Sequence, residues 1–454
     1  MSEDIVLGDF AETGGENENQ TTQHELFGIG ALPTDWEIEP LSEISKIIPG
    51  NSPPSSTYND TGEGLPFFQG NSEFGYLHPE EDTWCSDPRK KAQVNDILIS
   101  IRAPVGDLNI ADRNCCIGRG LAAIRPSRIN GLYLYYHFAE RQGWLSRLAT
   151  GSTFKSITKG DLQHLDVPLP PSEQQQKIAS VLYNVDQAIQ KTDEIIDQTE
   201  KVQKGLLQDL VTRGLNQKDE LRPSYHEEPS LYREIAGRTV PSEWSVVELS
   251  DIGEWISGKT PKKSEDSFWG GSIPWISAKD MKSLHLSDSE DKITEIAVEE
   301  GAPLAPADSL LILVRGMILD HTLPVVRPTR EVSFNQDVKA IIPYEEINPD
   351  YLAYWLKTNS NEVLALVTAA SHGTKRLSTG ALGNLSIPLP PEDEQVEIVD
   401  RVKKFDRKID TEKSYADRLK SLKKGLMQDL LSGNVRTNEK DIAIFDEVTE
   451  YEPE

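Results

Sequence analysis

Apolar positions along this chain follow two patterns, and each pattern occurs twice. Short apolar runs, Ile97–Ile101 and Leu121–Ile124 in the first half and Leu310–Val314 and Val338–Ile342 in the second, are punctuated by Gly and Pro and predict strands and turns. One helix is predicted inside each such stretch, near Gly131–Ser146 and Pro349–Thr358. After a Pro-Leu-Pro-Pro stop at Pro168–Pro171 and Pro388–Pro391 the period changes to steps of four and three. The first series is Ile178, Leu182, Val185, Ile189, Thr192, Ile196, Thr199, Gln203, Leu206 and Leu210. The second is Ile398, Val402, Phe405, Ile409, Glu412, Ala416, Leu419, Lys423, Leu426 and Leu430. Each series predicts a long helix with an apolar seam, the first opened by Ser172 as N-cap and Glu173 in an acidic first turn.

The halves match in order along nearly their whole length. Pro33-Thr34-Asp35-Trp36 corresponds to Pro241-Ser242-Glu243-Trp244, Gly50-Asn51-Ser52-Pro53 to Gly258-Lys259-Thr260-Pro261, and Leu65-Pro66-Phe67-Phe68 to Ile273-Pro274-Trp275-Ile276. Further on, Asp96–Arg102 resembles Asp308–Arg315, Gln175 and Ile178 pair with Gln395 and Ile398, and Lys204–Leu210 pairs with Lys424–Leu430. An ordered series of this kind marks an internal duplication. The predicted organisation is an acidic disordered arm (1–30), a first domain (31–171), a helix (172–215), a linker (216–230), a second domain (231–391), a second helix (392–433) and an acidic tail (434–454). The fold class is α+β, with mixed sheet plus helices in each domain.

Two arrangements of the long helices are open to a seam of this kind: each lies on its own globular core, or the two pair with each other. Their polar breaks coincide, Thr192 with Glu412 and Gln203 with Lys423, which favours a coiled coil between the copies. A helix of 40 residues would be roughly 60 Å long.

Charge complicates any nucleic-acid reading. The 454 residues hold 74 Asp and Glu against 47 Lys and Arg, a net charge of −27, whereas phosphate contacts need cations. Seven of the acids fall in residues 1–30 with no Lys or Arg, and seven more in 434–454 against Arg436 and Lys440, so the body is less acidic than the total. No stretch has the length and apolarity of a membrane span or the layout of a signal peptide, and Cys85, Cys115 and Cys116 have no disulfide or zinc spacing; a cytoplasmic protein is expected.

Signs of catalysis are negative. Gly253–Thr260 satisfies a phosphate-loop pattern, but Pro261-Lys262-Lys263-Ser264-Glu265-Asp266 follows with no helical period, so the string reads as a turn. Asn348-Pro349-Asp350-Tyr351 lies one residue from the loop with which adenine methyltransferases hold a flipped base, yet it reads as a helix N-terminus. The His residues show no metal spacing and no nucleophilic elbow is seen, so catalytic, cofactor-binding and metal sites are all expected to be absent. Basic and polar residues near turns, in contrast, recur at matching places. Lys259, Lys262 and Lys263 follow one turn; Gln69 and Asn71 occupy the slots of Ser277 and Lys279; Arg102 matches Arg315; Gly118-Arg119 matches Asn335-Gln336; Lys155 matches Lys375 beside Arg376. Lys and Arg suit phosphates, and Arg, Asn and Gln can bond base edges, so these form a candidate DNA face.

With these residues in view, the chain resembles the specificity subunit of type I restriction-modification enzymes. The resemblance rests on the Pro-x-x-Trp entries at Pro33 and Pro241, the turns at Gly50 and Gly258, the block Ile273–Asp280, the stretch Gly373-Thr374-Lys375, and Pro-Leu-Pro-Pro followed by the Gln-x-x-Ile helix. The first-half copies are looser, with Ser52 in place of Thr and Leu65–Ser72 departing from the block after its apolar start. The resemblance implies two target-recognition domains, each reading half of a split double-stranded DNA site, joined by an antiparallel coiled coil in a pseudo-twofold repeat that fixes the unread spacer. It also implies two adenine-methylating modification subunits and two restriction subunits as partners. S-adenosylmethionine, ATP and Mg would reside on those partners. The rival readings are a coiled-coil scaffold without sequence-specific DNA binding, and an enzyme built on the phosphate-loop or methyltransferase-like string.

Overall fold

The structure, a computed structural model, describes residues 21–22, 32–148, 156–369 and 374–436. Nearly all of the acidic tail and all of the acidic arm but Thr21 and Thr22 lie outside them; those two residues, expected to be disordered, pair as a short strand with Pro33 and Leu32. The chain forms two compact units, residues 1–194 with 412–454 and residues 195–411.

In the first unit, β1 (Glu37–Pro40) leads to β2 (Ser45–Pro49), β3 (Leu65–Phe68), β4 (Ile97–Ser100), β5 (Leu108–Ile110), β6 (Cys115–Ile117) and β7 (Leu121–Pro126). Strands in the order β5-β4-β7-β2 form an antiparallel sheet, while β3 and β6 pair in parallel in a second sheet. The apolar run Ile97-Leu98-Ile99 is wholly buried because both faces of its strand are covered. Helices α1 (Gly131–Glu140) and α2 (Gln142–Leu148) follow. Sequence periodicity predicts one helix here; the chain breaks at Arg141, which turns out of the helix at φ −104° and ψ 15°, with Gly143, a poor helix former, two residues on. Strand β8 (Asp166–Leu169) returns to pair with β1, and α3 (Ser172–Thr212) begins.

The second unit repeats this plan. It contains β9 (Ser245–Glu248), β10 (Gly253–Ser257), β11 (Trp269–Ile276), β12 (His285–Leu286), β13 (Leu310–Leu313), β14 (Val325–Pro328), β15 (Ser333–Phe334), β16 (Val338–Pro343), α4 (Pro349–Thr358), β17 (Lys375–Leu377), β18 (Ser386–Leu389) and the start of α5 (Glu392–Ser432). Its main sheet runs β10-β16-β13-β14-β12, and β11 pairs in parallel with β15. The phosphate-loop-like string is strand β10 and the turn after it, and Lys259 Nζ donates to the Glu300 carbonyl. Asn348 caps α4, its Oδ1 accepting from the amides of Asp350 and Tyr351.

The long helices pack antiparallel within each unit. In the first, Val185 and Ile189 of α3 meet Leu419 of α5, and Ile178 and Leu182 share a core with Met427 and Leu430. In the second, Leu206 and Leu210 of α3 pack with Ile398 and Val402. Ile196 and Ile409 are also buried, whereas Leu206, Phe405 and Leu426 are half-buried. The same side chains touch the domain helices as well: Ile178 and Leu182 join Tyr133 and Tyr136 of α1 in one core. The two helix arrangements open to the sequence are therefore combined, and each fully buried Leu or Ile contributes about 1.5 to 3 kcal/mol.

The shared Gln at the start of each helix has a specific task. Gln175 and Gln395, both buried, accept from the amides of Asn130 and Asn348 at 2.8 Å and donate to the carbonyls of Pro170 and Pro390. Tyr133 and Tyr351 reach the carbonyls of Pro168 and Pro388. One end of each sheet is thereby fastened to the helices through the Pro-Leu-Pro-Pro segment.

Candidate nucleic-acid interface

The other end of each sheet gathers loops. In the first unit the end of β2 pairs with the start of β7, and the end of β4 does likewise, Pro49 opposite Ala122 and Ser100 opposite Leu121. The loops after β2, after β4 and before β7 must therefore meet. The Gly50 amide donates to the Leu121 carbonyl at 2.9 Å, and a Cβ on Gly50 would lie 2.1 Å from the Gly118 carbonyl oxygen, so only glycine fits. Ser52 Oγ donates to Gln69 Oε1 at 2.9 Å and accepts from the Arg119 amide at 3.2 Å. Ile101 bonds Gly120 and Ile157, which sets Arg102 opposite Ser156. Gln69, Arg102 and Arg119, scattered in sequence, come together here.

The second unit builds the same corner. Ser257 at the end of β10 pairs with Lys339, and Leu313 at the end of β13 pairs with Val338. A Cβ on Gly258 would collide with the Asn335 carbonyl at 1.8 Å. Thr260 Oγ1 bonds Gln336 Oε1. The Gly316 amide donates to the Lys375 carbonyl at 3.1 Å, and Arg315 lies opposite Arg376.

The predicted residues differ in how free they are. Arg102, Arg119, Lys262, Lys263, Arg315, Gln336 and Arg376 are exposed. Arg315 has a loose partner among the described residues, Asp337, at 3.9 Å. Lys375 is paired with Asp320 at 2.7 Å and holds that carboxyl below the usual carboxylate range. Lys279 is gripped by Glu290 at 2.8 Å and Asp291 at 3.0 Å, so two carboxylates compete with any phosphate. Ser277 gives both its amide and its hydroxyl to Asp280, and Asn335 is buried with its Oδ1 accepting from the Asp337 amide. These last two shape turns. Asn71 donates to Asp107, and Lys155 lies outside the described residues.

Sequence reasoning passed over Asp107 and Gln142, which meet at this corner although 35 positions apart, and the exposed apolar pair Met317 and Ile318 after Arg315. No spacing rule connects the first two. The apolar pair carries a local signal, being part of a run of three large apolar residues, Met317, Ile318 and Leu319, between Arg315 and Asp320. Among the described residues no three His, Cys, Asp or Glu side chains are placed to hold a metal, and no helix is long and apolar enough to cross a membrane. Burial pushes the Cys115 and Cys116 thiols up to about 12 and about 11, so neither is a ready nucleophile. The corner can grip phosphates and bond base edges.

Comparison with known proteins agrees with this geometry. The family described as Type I restriction modification DNA specificity domain matches twice, at residues 33–201 and 241–421. A putative type I restriction enzyme MjaX specificity subunit of Methanocaldococcus jannaschii is 43% identical over 188 residues, covering 40% of this chain and 44% of that protein. The chain thus spans less than half the length of that relative. The MjaIX specificity subunit of the same organism is 24% identical over 433 residues, 92% of this chain and 98% of its own. In fold, the S subunit of a type I restriction-modification system from M. genitalium superposes with a TM-score of 0.58 at 18% identity, covering 87% of this chain and 96% of that one. The duplicated domain, its two long helices and its paired family matches show that this chain belongs to the type I restriction-modification DNA specificity family.

Proposed function

We propose that the chain reads a bipartite DNA sequence, one half-site per unit, and catalyses nothing itself. The observation that carries this reading is the recurrence, at the same end of both sheets, of glycine-shaped loops bearing exposed Arg102 and Arg119 in one unit and Arg315, Gln336 and Arg376 in the other. Cations at loop tips suit phosphates, and Arg and Gln suit base edges in the major groove. The opposite end of each sheet is fastened to the long helices, which leaves the helices as the place where modification subunits dock. In this proposal two modification subunits and two restriction subunits assemble on the chain in the cytoplasm. They bring S-adenosylmethionine, ATP and Mg, and the helices set the unread spacer. The test is selection of preferred duplexes from a randomised pool by the full chain, alone and with its modification partner, at several salt concentrations. A single split consensus is expected, with affinity falling steeply as salt rises. A scaffold without sequence-specific DNA binding would instead bind all duplexes equally and weakly, and that result would sink the proposal.

A further inference from the structure

Three side chains at the loop corner of the first unit form a fixed device whose pair of amides has no counterpart among the described residues of the second. The Asp107 carboxylate accepts from Asn71 Nδ2 on Oδ2 and from Gln142 Nε2 on Oδ1, each at 2.5 Å. An ionised carboxylate only accepts, so both amides must turn their NH2 groups to it, and their orientation is decided by chemistry. Asp107 is itself held from behind: buried Ser100 accepts the Asp107 amide on Oγ at 2.8 Å and donates to the Pro104 carbonyl at 2.8 Å. Gly106, at φ +98°, lets this loop approach α2, since a Cβ there would come within 3.4 Å of the Gln142 carbonyl and 3.3 Å of Leu145. Gln142 is exposed, and with Ala103, Pro104 and Ser146 it lines a cleft of about 400 Å³ beside Arg102.

Held this way, Gln142 keeps Oε1 and its second N–H as a fixed acceptor and donor on its free edge. That pair is complementary to the N6 amino group and N7 of adenine in the major groove. We infer that Gln142 reads an adenine in the half-site bound by the first unit, with Asp107 as its positioning residue. The comparison between repeats favours a role in selectivity. Frame residues recur, Gly50 with Gly258, Arg102 with Arg315, Gln175 with Gln395, and so does the Asp five places after that Arg, whereas the slot of Asn71 holds Lys279 and Asp320, in the slot of Asp107, is tied to Lys375 and not to a pair of amides. Two units reading different half-sites must differ somewhere at this corner, and they differ here.

The inference rests on the DNA reading above and is tested separately from it. Duplexes randomised in the first half-site, with the second held constant, are selected by the full chain as wild type, Gln142→Ala and Asp107→Asn. Wild type is expected to demand adenine at one position. Gln142→Ala should lower that preference about 5- to 150-fold, and Asp107→Asn, which can no longer accept both amides, should weaken the same position. Replacing that adenine by 7-deazaadenine should weaken binding by wild type but not by Gln142→Ala. Unchanged preference in both variants, or loss spread over every position of the half-site, overturns the inference and leaves the DNA reading standing. Absence of any preference in wild type overturns the reading itself.

Discussion

Single residues inside this fold carry charge problems that fix its pH behaviour. Asp186, 1% exposed, accepts from the hydroxyls of Tyr76 and Tyr136 at 2.7 Å and pairs with Lys423 at 2.5 Å. Its counterpart Asp406 has lighter partners, Tyr354 and the neutral Gln203. Asp186→Leu leaves the half-buried Lys423 ammonium, the buried Tyr136 hydroxyl and the exposed Tyr76 without their shared partner and should cost about 3 kcal/mol, whereas Asp406→Leu, with no cation to strand, should cost roughly 1 to 2 kcal/mol. Urea unfolding of both variants checks the ordering, and equal losses would contradict it. His137 poses the opposite problem. Its burial, and then the positive charge of Arg141, hold its pKa well below the ordinary value, and Arg141 Nη1 donates to Nδ1 at 3.1 Å, so the ring is neutral. Because the folded pKa is depressed, the unfolded chain takes up the proton first. The stability His137 contributes is complete above about pH 6.5 and falls by up to about 1.4 kcal/mol per pH unit below it. The second unit has Trp355 in that slot. His137→Phe should therefore flatten the loss of thermal stability between pH 7.5 and 5.5, read as the difference in Tm from wild type.

At the scale of elements, each long helix ends by docking on a domain Trp. Gly214, at φ +61°, closes α3 against Trp244, and Glu394 from the start of α5 takes Trp244 Nε1, the Leu215 amide and Arg222. In the first unit Gly433, at φ +73°, sits on Trp36, and Gln174 takes Trp36 Nε1 and Arg436. Glu394→Gln can keep only one of the two neutral bonds, because the Leu215 amide and Trp244 Nε1 donate to different oxygens, and it removes the charge facing a guanidinium that is 8% exposed. A loss of roughly 1.5 to 3 kcal/mol is expected, seen as faster hydrogen exchange over residues 210–222. Unaltered exchange there would show that Glu243 alone satisfies Arg222. Much of this level was legible in the sequence. The seam residues, the Pro-Leu-Pro-Pro stop and α4 follow from period and punctuation, because burial on one face writes itself into spacing. Asp186 and Asp406 were not legible, since an Asp one place past a seam position looks like a solvated outer residue. Their partners Tyr136 and Tyr354 come from domain helices about 50 residues earlier. The match between Gln175 and Gln395 was visible; what each Gln bonds was not. The Asp107 and Gln142 pair was invisible for the same reason, as tertiary contacts leave no period.

For the molecule as a whole, the excess of acids must be reconciled with a DNA partner. Pairing inside the fold absorbs part of it: Asp35, Asp96, Asp186 and Asp350 all face cations. For Asp350, burial alone would raise the carboxyl, but Arg327 and Lys403 outweigh it and hold it below the usual range. The acids of residues 1–20 and 437–454 stand in a different position, having only Lys440 to offset them in sequence, and like-signed charge near a duplex repels it over a Debye length of about 10 Å at 0.1 M salt. Removing both segments cuts the net charge nearly in half without touching any residue placed at the loop corners. If the proposed DNA contacts are local, the shortened chain should associate with its duplex faster at low salt, and the gain should vanish as salt rises. Half-site preferences should stay unchanged, because they depend on short-range bonds. Stopped-flow association rates at 0.05 and 0.5 M salt separate the two terms. A gain that persists at high salt would mean that the ends block the interface by contact, and a changed consensus would mean that they take part in reading.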